Sequence, residues 1–257
     1  MKDLSTGVTL KRNATTVMHA ASTMKTAVLL EALRRADEGT LSLASQVPIV
    51  DCFPSALDGT PFRIELEKEA DERVAPFIGK SARLDFVARE MIVRSSNLAT
   101  NVMLGLCPPK DVQRFADALG APSVKVRRMV SDEKAYAAGL SNETDAEGMA
   151  ALMEAAVRSP RLSETARRTA WEILAAQEWN DQIPAGIPKQ AGAVVAHKTG
   201  SISKVQHDAA VVRLPNGREY VLVLLATDFG ANEEGRARVV AATRRMSRAV
   251  WEAMIAP

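Results

Sequence analysis

The chain has 257 residues, 47% of them apolar and 25% charged, enough for one large core or two packed lobes. Its 33 basic residues are nearly balanced by 31 acidic ones, leaving a net charge of +2. That balance excludes a nucleic-acid binder held mainly by phosphate contacts. The composition also excludes a zinc protein of the usual kind, since there are three histidines and two cysteines (Cys52 and Cys107) with no H-E-x-x-H or C-x-x-C spacing. A disulfide between the cysteines and two free buried thiols are both open readings.

In chain order, the first element expected is a short strand at 7–13 (GVTLKRN) leaving a Ser-Thr-Gly turn. A helix then opens at Ser22 and stops before Gly39. Pro48, Pro54, Pro61 and Pro76 break residues 40–80 into loops and short helices. Gly79-Lys80-Ser81 imitates a phosphate loop, but Val74 stands where the earlier glycine belongs, so it reads as a helix start. That helix runs from Ser81 to about Arg94, with Leu84, Val87 and Met91 on one face. Ser95-Ser96-Asn97 forms a loop before a second apolar helix, which Pro108-Pro109 ends. A short helix at 110–119 closes at Gly120, Thr144 to Glu147 reads as a capping box, and Ser163 caps a further helix.

The period then changes. Residues 191–200, 208–217 and 218–227 read as three strands, with Asn216-Gly217 as a hairpin turn. The last stretch is an amphipathic helix with Val239, Val240, Met246, Val250 and Trp251 inward. Strands at both ends of a helical middle predict an α+β fold, an antiparallel sheet flanked by helices with a helical lobe inserted. No apolar run is long enough to span a membrane, and the N-terminus carries no signal-peptide core, so the chain as written reads as cytoplasmic.

Three segments carry chemistry. In Ser22-x-x-Lys25 the hydroxyl and amine share a helix face beside free backbone N–H groups, the arrangement of an activated nucleophile. The spacing recurs at Ser131/Lys134 and Ser201/Lys204, and a cap serine followed by a solvated lysine is the default reading of a lone match. The others are Ser95-x-Asn97 and Lys198-Thr199-Gly200, each of which alone reads as a loop cap or a strand ending in a turn. His197 reads as a packed strand residue. His207, beyond the hairpin, is a candidate for the cleft edge.

Taken together and in order, the three segments resemble the signature of class A β-lactamases and penicillin-binding proteins. Ala99-Thr100-Asn101, Ile183-Pro184 and Gly186-Ile187-Pro188 extend the resemblance over nearly the whole chain. It implies a single domain over 1–257, with an α/β lobe (1–21 and 190–257) and an all-α lobe (22–189) around a cleft. It implies a serine hydrolase of β-lactam catabolism and antibiotic resistance, opening the ring through a Ser22 acyl-enzyme. A penicillin-binding or esterase-like enzyme with slow deacylation, or a sensor that does not turn over, are the alternatives.

By that resemblance Lys25 is the base, its affinity for a proton lowered by burial and by the neighbouring Lys198. Ser95 relays the proton to the leaving nitrogen, and Asn97 holds Lys25 and the substrate amide. Lys198, Thr199, Gly200 and Ser201 form the edge for the substrate carboxylate, and backbone N–H groups of Ser22 and Ser201 form the oxyanion hole. No cofactor or metal is implied; the partner is a small β-lactam, acyl-peptide or ester, and the chain is expected to be a monomer.

Two departures matter. Ser96 stands where the family has Asp, and the loop after Arg128 lacks the family's Glu-x-x-x-Asn, leaving Glu133 as the candidate deacylating carboxylate with Asp132 beside it. The family's first helix and most of its first strand, expected before Asp3, are absent too. A longer upstream reading frame would supply them and an export signal, which places the protein in the periplasm or outside the cell by resemblance.

Overall fold

The computed structural model describes residues 1–256. Four antiparallel strands form the main sheet, in the order Lys2–Asp3, Glu219–Thr227, Val205–Arg213, Val194–Ile202. Strand side chains alternate between faces, and here each face has its own core. Ala196, Ala209, Val211 and Val221 point inward to the large cluster shared with the helices. Ala210, Val212 and Leu222 point outward and pack with Ile183, Ile187 and Met254. The final helix, Glu233–Ile255, covers that outer face. The helix Lys25–Asp37 runs through the inner cluster, with every residue from Lys25 to Leu33 buried.

The mixed fold with its antiparallel sheet is as expected, but several boundaries move for local reasons. The strand expected at 7–13 lies instead at Lys2–Asp3, where it pairs with Val221 and Tyr220; Thr9 contributes only an isolated bridge to Lys2. The helix expected from Ser81 starts at Leu84, because Ser81–Arg83 pairs with Gln46–Pro48. Cys52–Pro54 pairs with Pro61–Arg63, so residues 40–80 hold short ladders as well as loops. Asp145 caps the helix Ala146–Arg158 in place of Thr144, which is paired with Met18. Ser163 caps its helix as expected, accepting from Ala166 N.

The two sheet hairpins differ from their expected bounds in opposite ways. Strands Val194–Ile202 and Val205–Arg213 are joined by Ser203 and Lys204 alone, so Ser201 and His207 both lie within strands. The next hairpin closes at Leu214–Arg218 and Gly217–Leu214, with Gly217 left-handed at φ +82°. In the final helix, Val240, Thr243, Ser247 and Met254 face inward, whereas Met246 is exposed. Both cysteines are free: Cys52 is exposed, and burial pushes the Cys107 thiol up to about 12. Among the described residues no helix is long and apolar enough to cross a membrane.

Candidate active site

Ser22 sits in a tight 3-10 turn, Ala21–Met24, just ahead of the helix Lys25–Asp37. Ala21 holds a left-handed φ of +45°, a conformation that costs a non-glycine residue free energy and persists only when its surroundings enforce it. Here Ala21 N donates to His19 Nδ1 at 2.9 Å, and Thr23 is tied to Ala20 O by both its N–H (3.1 Å) and its hydroxyl (2.6 Å). The turn lifts Ser22 out of the core, and it is half-buried at the wall of a cleft of about 950 Å3.

The strand Val194–Ile202 presses directly on this turn. A Cβ on Gly200 would lie 3.1 Å from both Ser22 N and Thr23 N and 3.0 Å from the Thr23 methyl. Only glycine lets the backbones come this close. That contact brings Lys198, Thr199 and Ser201, more than 170 positions downstream, beside the serine.

Both lysines are wholly buried and meet at one hydroxyl. Lys25 Nζ donates to Ser95 O (2.6 Å), Asn97 Oδ1 (2.7 Å) and Ser95 Oγ (3.3 Å). Lys198 Nζ donates to Ser95 Oγ and Thr199 O, each at 3.0 Å. Burial lowers Lys25 to about 7, against the opposing pull of Glu67 and Asp71. Lys198 is pushed well down, first by burial and then by the Lys25 amine, with Asp208 opposing. Desolvation of the charged form therefore dominates at Lys25, and the crowding by Lys198 expected there falls on Lys198 itself.

Ser95 adopts a left-handed φ of +63°, which turns both its hydroxyl and its carbonyl toward the amines. Two carboxylates that no motif marks hold this loop. Asp71, 1% exposed, accepts from Ser96 Oγ (2.6 Å), Leu98 N (3.0 Å) and Glu67 N (2.9 Å). Ser96 Oγ also accepts from Ala99 N and so caps the helix Asn97–Leu106. Ser96 itself was the signal: a buried hydroxyl where the family carries Asp needs a carboxylate from elsewhere. Glu67 Oε1 accepts from Asn97 Nδ2 at 2.8 Å, which turns Asn97 Oδ1 toward Lys25.

The opposite edge carries Thr199 and Ser201, both facing the cleft. Arg236, from the first turns of the final helix, donates to Ser201 Oγ. It adds a guanidinium to this edge that nothing in the sequence singled out. His207 does not reach the cleft. It is buried behind the serine turn, accepting from Ala226 N at Nδ1 and donating from Nε2 to His19 O at 3.0 Å. Ser131/Lys134 and Ser201/Lys204 are the bland cases: Lys134 is exposed and paired with Asp58, and Lys204 lies in a turn.

The loop 128–142 forms the remaining wall. Asn101 pins it at Val130, donating to Val130 O (3.0 Å) and accepting from Val130 N (2.8 Å). Asp132 is buried and fully engaged, taking Ser55 Oγ (2.9 Å), Ala56 N (2.7 Å) and Ala135 N (3.1 Å). It is a helix cap and a loop anchor, and it does not line the cleft. Glu133, the first residue of the short helix Glu133–Ala137, is exposed and lines the cleft. Among the described residues no cluster of three or more His, Cys, Asp or Glu is placed to hold a metal ion.

The model of the Beta-lactamase enzyme family matches residues 1–254. Among solved structures, PBP-A is 25% identical with a TM-score of 0.75, covering 98% of this chain and 88% of that one. A mutant of PBP-A is described as an acyl-enzyme complex with penicillin G. A β-lactamase from Burkholderia vietnamiensis is 22% identical with a TM-score of 0.83, covering 100% and 90% of the two chains. One from Xanthomonas campestris pv. campestris is 21% identical with a TM-score of 0.83, covering 97% and 88%. No curated protein matches the sequence.

Proposed function

The chain belongs to the β-lactamase enzyme family, and we propose that it is an active-site serine hydrolase that opens β-lactam rings through a Ser22 acyl-enzyme. The observation that carries this reading is the pair of buried amines converging on Ser95 Oγ beside the Ser22 turn. With Lys25 near 7, about half of it is neutral at neutral pH and free to take a proton.

In the proposed reaction Lys25 removes the Ser22 proton as Oγ attacks the lactam carbonyl. The tetrahedral oxyanion is held by the backbone N–H groups of Ser22 and Ser201, donors worth about 3–4 kcal/mol each when lost. The C–N bond then breaks, Ser95 gives its proton to the nitrogen, and the Lys25 ammonium restores it. Asn97 keeps Lys25 in place, with Glu67 fixing the amide's orientation. Lys198, Thr199, Ser201 and Arg236 take the substrate carboxylate, whose negative charge favours the lysine cation that burial disfavours.

Release of the acyl group requires an activated water. Glu133 is the carboxylate of the 128–142 loop left for that task, and it is exposed on a helix rather than held against the serine. This observation favours slow deacylation, and with it a second reading as a penicillin-binding or peptidase-like acyltransferase. Turnover of a chromogenic cephalosporin by the wild type and by Ser22→Ala tests the core of the proposal. The wild type should react and the variant should not; equal rates in both would remove Ser22 from the chemistry.

A further inference from the structure

His197 and Asp208 form a buried pair that the proposed reaction does not use. Both are fully buried, on the outer face of the sheet that also carries Thr199 and Ser201. His197 Nδ1 lies 2.8 Å from Asp208 Oδ1, and Nε2 lies 3.1 Å from Asn180 Oδ1. Asn180 Nδ2 donates to Gln177 O at 2.8 Å. A carbonyl only accepts, so the amide's orientation is set and its oxygen faces the ring. Both partners of the imidazole are then acceptors, and the ring stands between them, Nδ1 toward Asp208 and Nε2 toward Asn180.

Few other polar groups reach the ring. Lys198, the next residue along the strand, points to the opposite face, toward Ser95. On the loop, Glu178 is occupied by Arg73 and Arg94, and Asp181 is exposed, its carbonyl held by Arg244 of the final helix. The helix Glu164–Ala175, packed on this strand, buries only Ala166, Ala170, Ile173 and Leu174.

The pair also ties down one wall of the cleft. Residues Glu178 to Gln182 line it. The ring holds Asn180, Asp208 Oδ2 accepts from Ile183 N at 2.9 Å, and Gln182 Nε2 donates to His207 O at 3.2 Å. We propose that His197 is a positioning residue whose ring, held between Asp208 and Asn180, clamps the 177–182 loop beside the Thr199–Ser201 edge, so that substrate meets an ordered wall. This deepens the acyl-enzyme reading and rests on it for the meaning of the wall, but not for the clamp itself.

The test has two arms. Amide hydrogen exchange of the full chain should find residues 180–182 protected in the wild type and faster to exchange in His197→Gln; equal exchange in both would overturn the proposal whether or not Ser22 acylates. Acylation kinetics should then separate binding from chemistry. In His197→Gln the dissociation constant of the pre-covalent complex should rise about tenfold, the scale of one lost charged hydrogen bond, with the limiting acylation rate changed less than about twofold. Asn180→Asp, which keeps an acceptor for the ring, should hold that constant near its wild-type value. An unchanged dissociation constant in His197→Gln would contradict the clamp.

Discussion

The two walls of the cleft are built to different standards. On one, Ser22 sits on a strained turn, Lys25 on a buried helix, Ser95 and Asn97 on a left-handed loop and the helix it opens, and Lys198 on the edge strand of the main sheet, with both amines, Ser95 and Asn97 joined by hydrogen bonds. On the other, the 128–142 loop spends its buried carboxylate, Asp132, on its own fold and leaves Glu133 exposed. In the proposed reaction the first wall forms the acyl-enzyme, while the second holds no carboxylate firmly against it. Forming and releasing the acyl group are separable problems, and a fold can solve one without the other.

The largest effect should come from the first wall. Lys25→Met should slow acylation by β-lactams by about a thousandfold, the usual range for a lost general base, as measured by adduct formation under single-turnover conditions. A loss under tenfold would assign the base elsewhere. The wild-type acylation rate should also fall about tenfold per pH unit below about 7 and flatten above it, because burial sets Lys25 there and only the neutral amine accepts the proton.

The same burial has a sign for stability. A lysine lowered from 10.5 to about 7 binds fewer protons folded than unfolded between those values, so its contribution to stability rises with pH across that window. Chemical denaturation at both ends should show the rise in the wild type and a smaller one in Lys25→Met.

A middle-sized pair of effects compares the walls through their buried carboxylates. Asp71→Ala leaves the Ser96 hydroxyl and Leu98 N unpaired, and Asp132→Ala does the same to Ser55 and Ala56. Each should lower stability by about 2–4 kcal/mol. Asp71→Ala should also slow acylation by displacing Ser95, whereas Asp132→Asn should leave the adduct's lifetime unchanged. The smallest effect belongs to Glu133→Gln, expected to lengthen that lifetime by about three- to tenfold, below the full value of a well-placed base. No change there would leave the second wall without any part in release.

Much of the first wall was legible because the proposed acyl-transfer chemistry dictates residue types at short spacing: a serine and an amine one helical turn apart, a serine two before an asparagine, a lysine two before a glycine. What was not legible is held by long-range contacts with no local pattern. Glu67 reaches Asn97 across 30 positions, Asp71 reaches Ser96 across 25, and Arg236 reaches Ser201 across 35. The first sheet hairpin was drawn too long because Ser203 and Lys204 carry no turn signal of the Asn-Gly kind. Residues 7–13 look like a strand on propensity, but Lys2–Asp3 takes the partner. The low Lys25 proton affinity was expected from burial and from Lys198 together, and the helix running through the core makes burial the leading cause.

The central claim, that the acyl-enzyme is built better than its release, is tested most directly by following the mass of the intact protein after mixing with a small excess of penicillin. The account predicts one adduct on Ser22 that forms quickly and decays slowly, so that it accumulates close to one per chain before it fades. An adduct that never accumulates while penicillin is steadily consumed would contradict it, because release would then be as well served as attack.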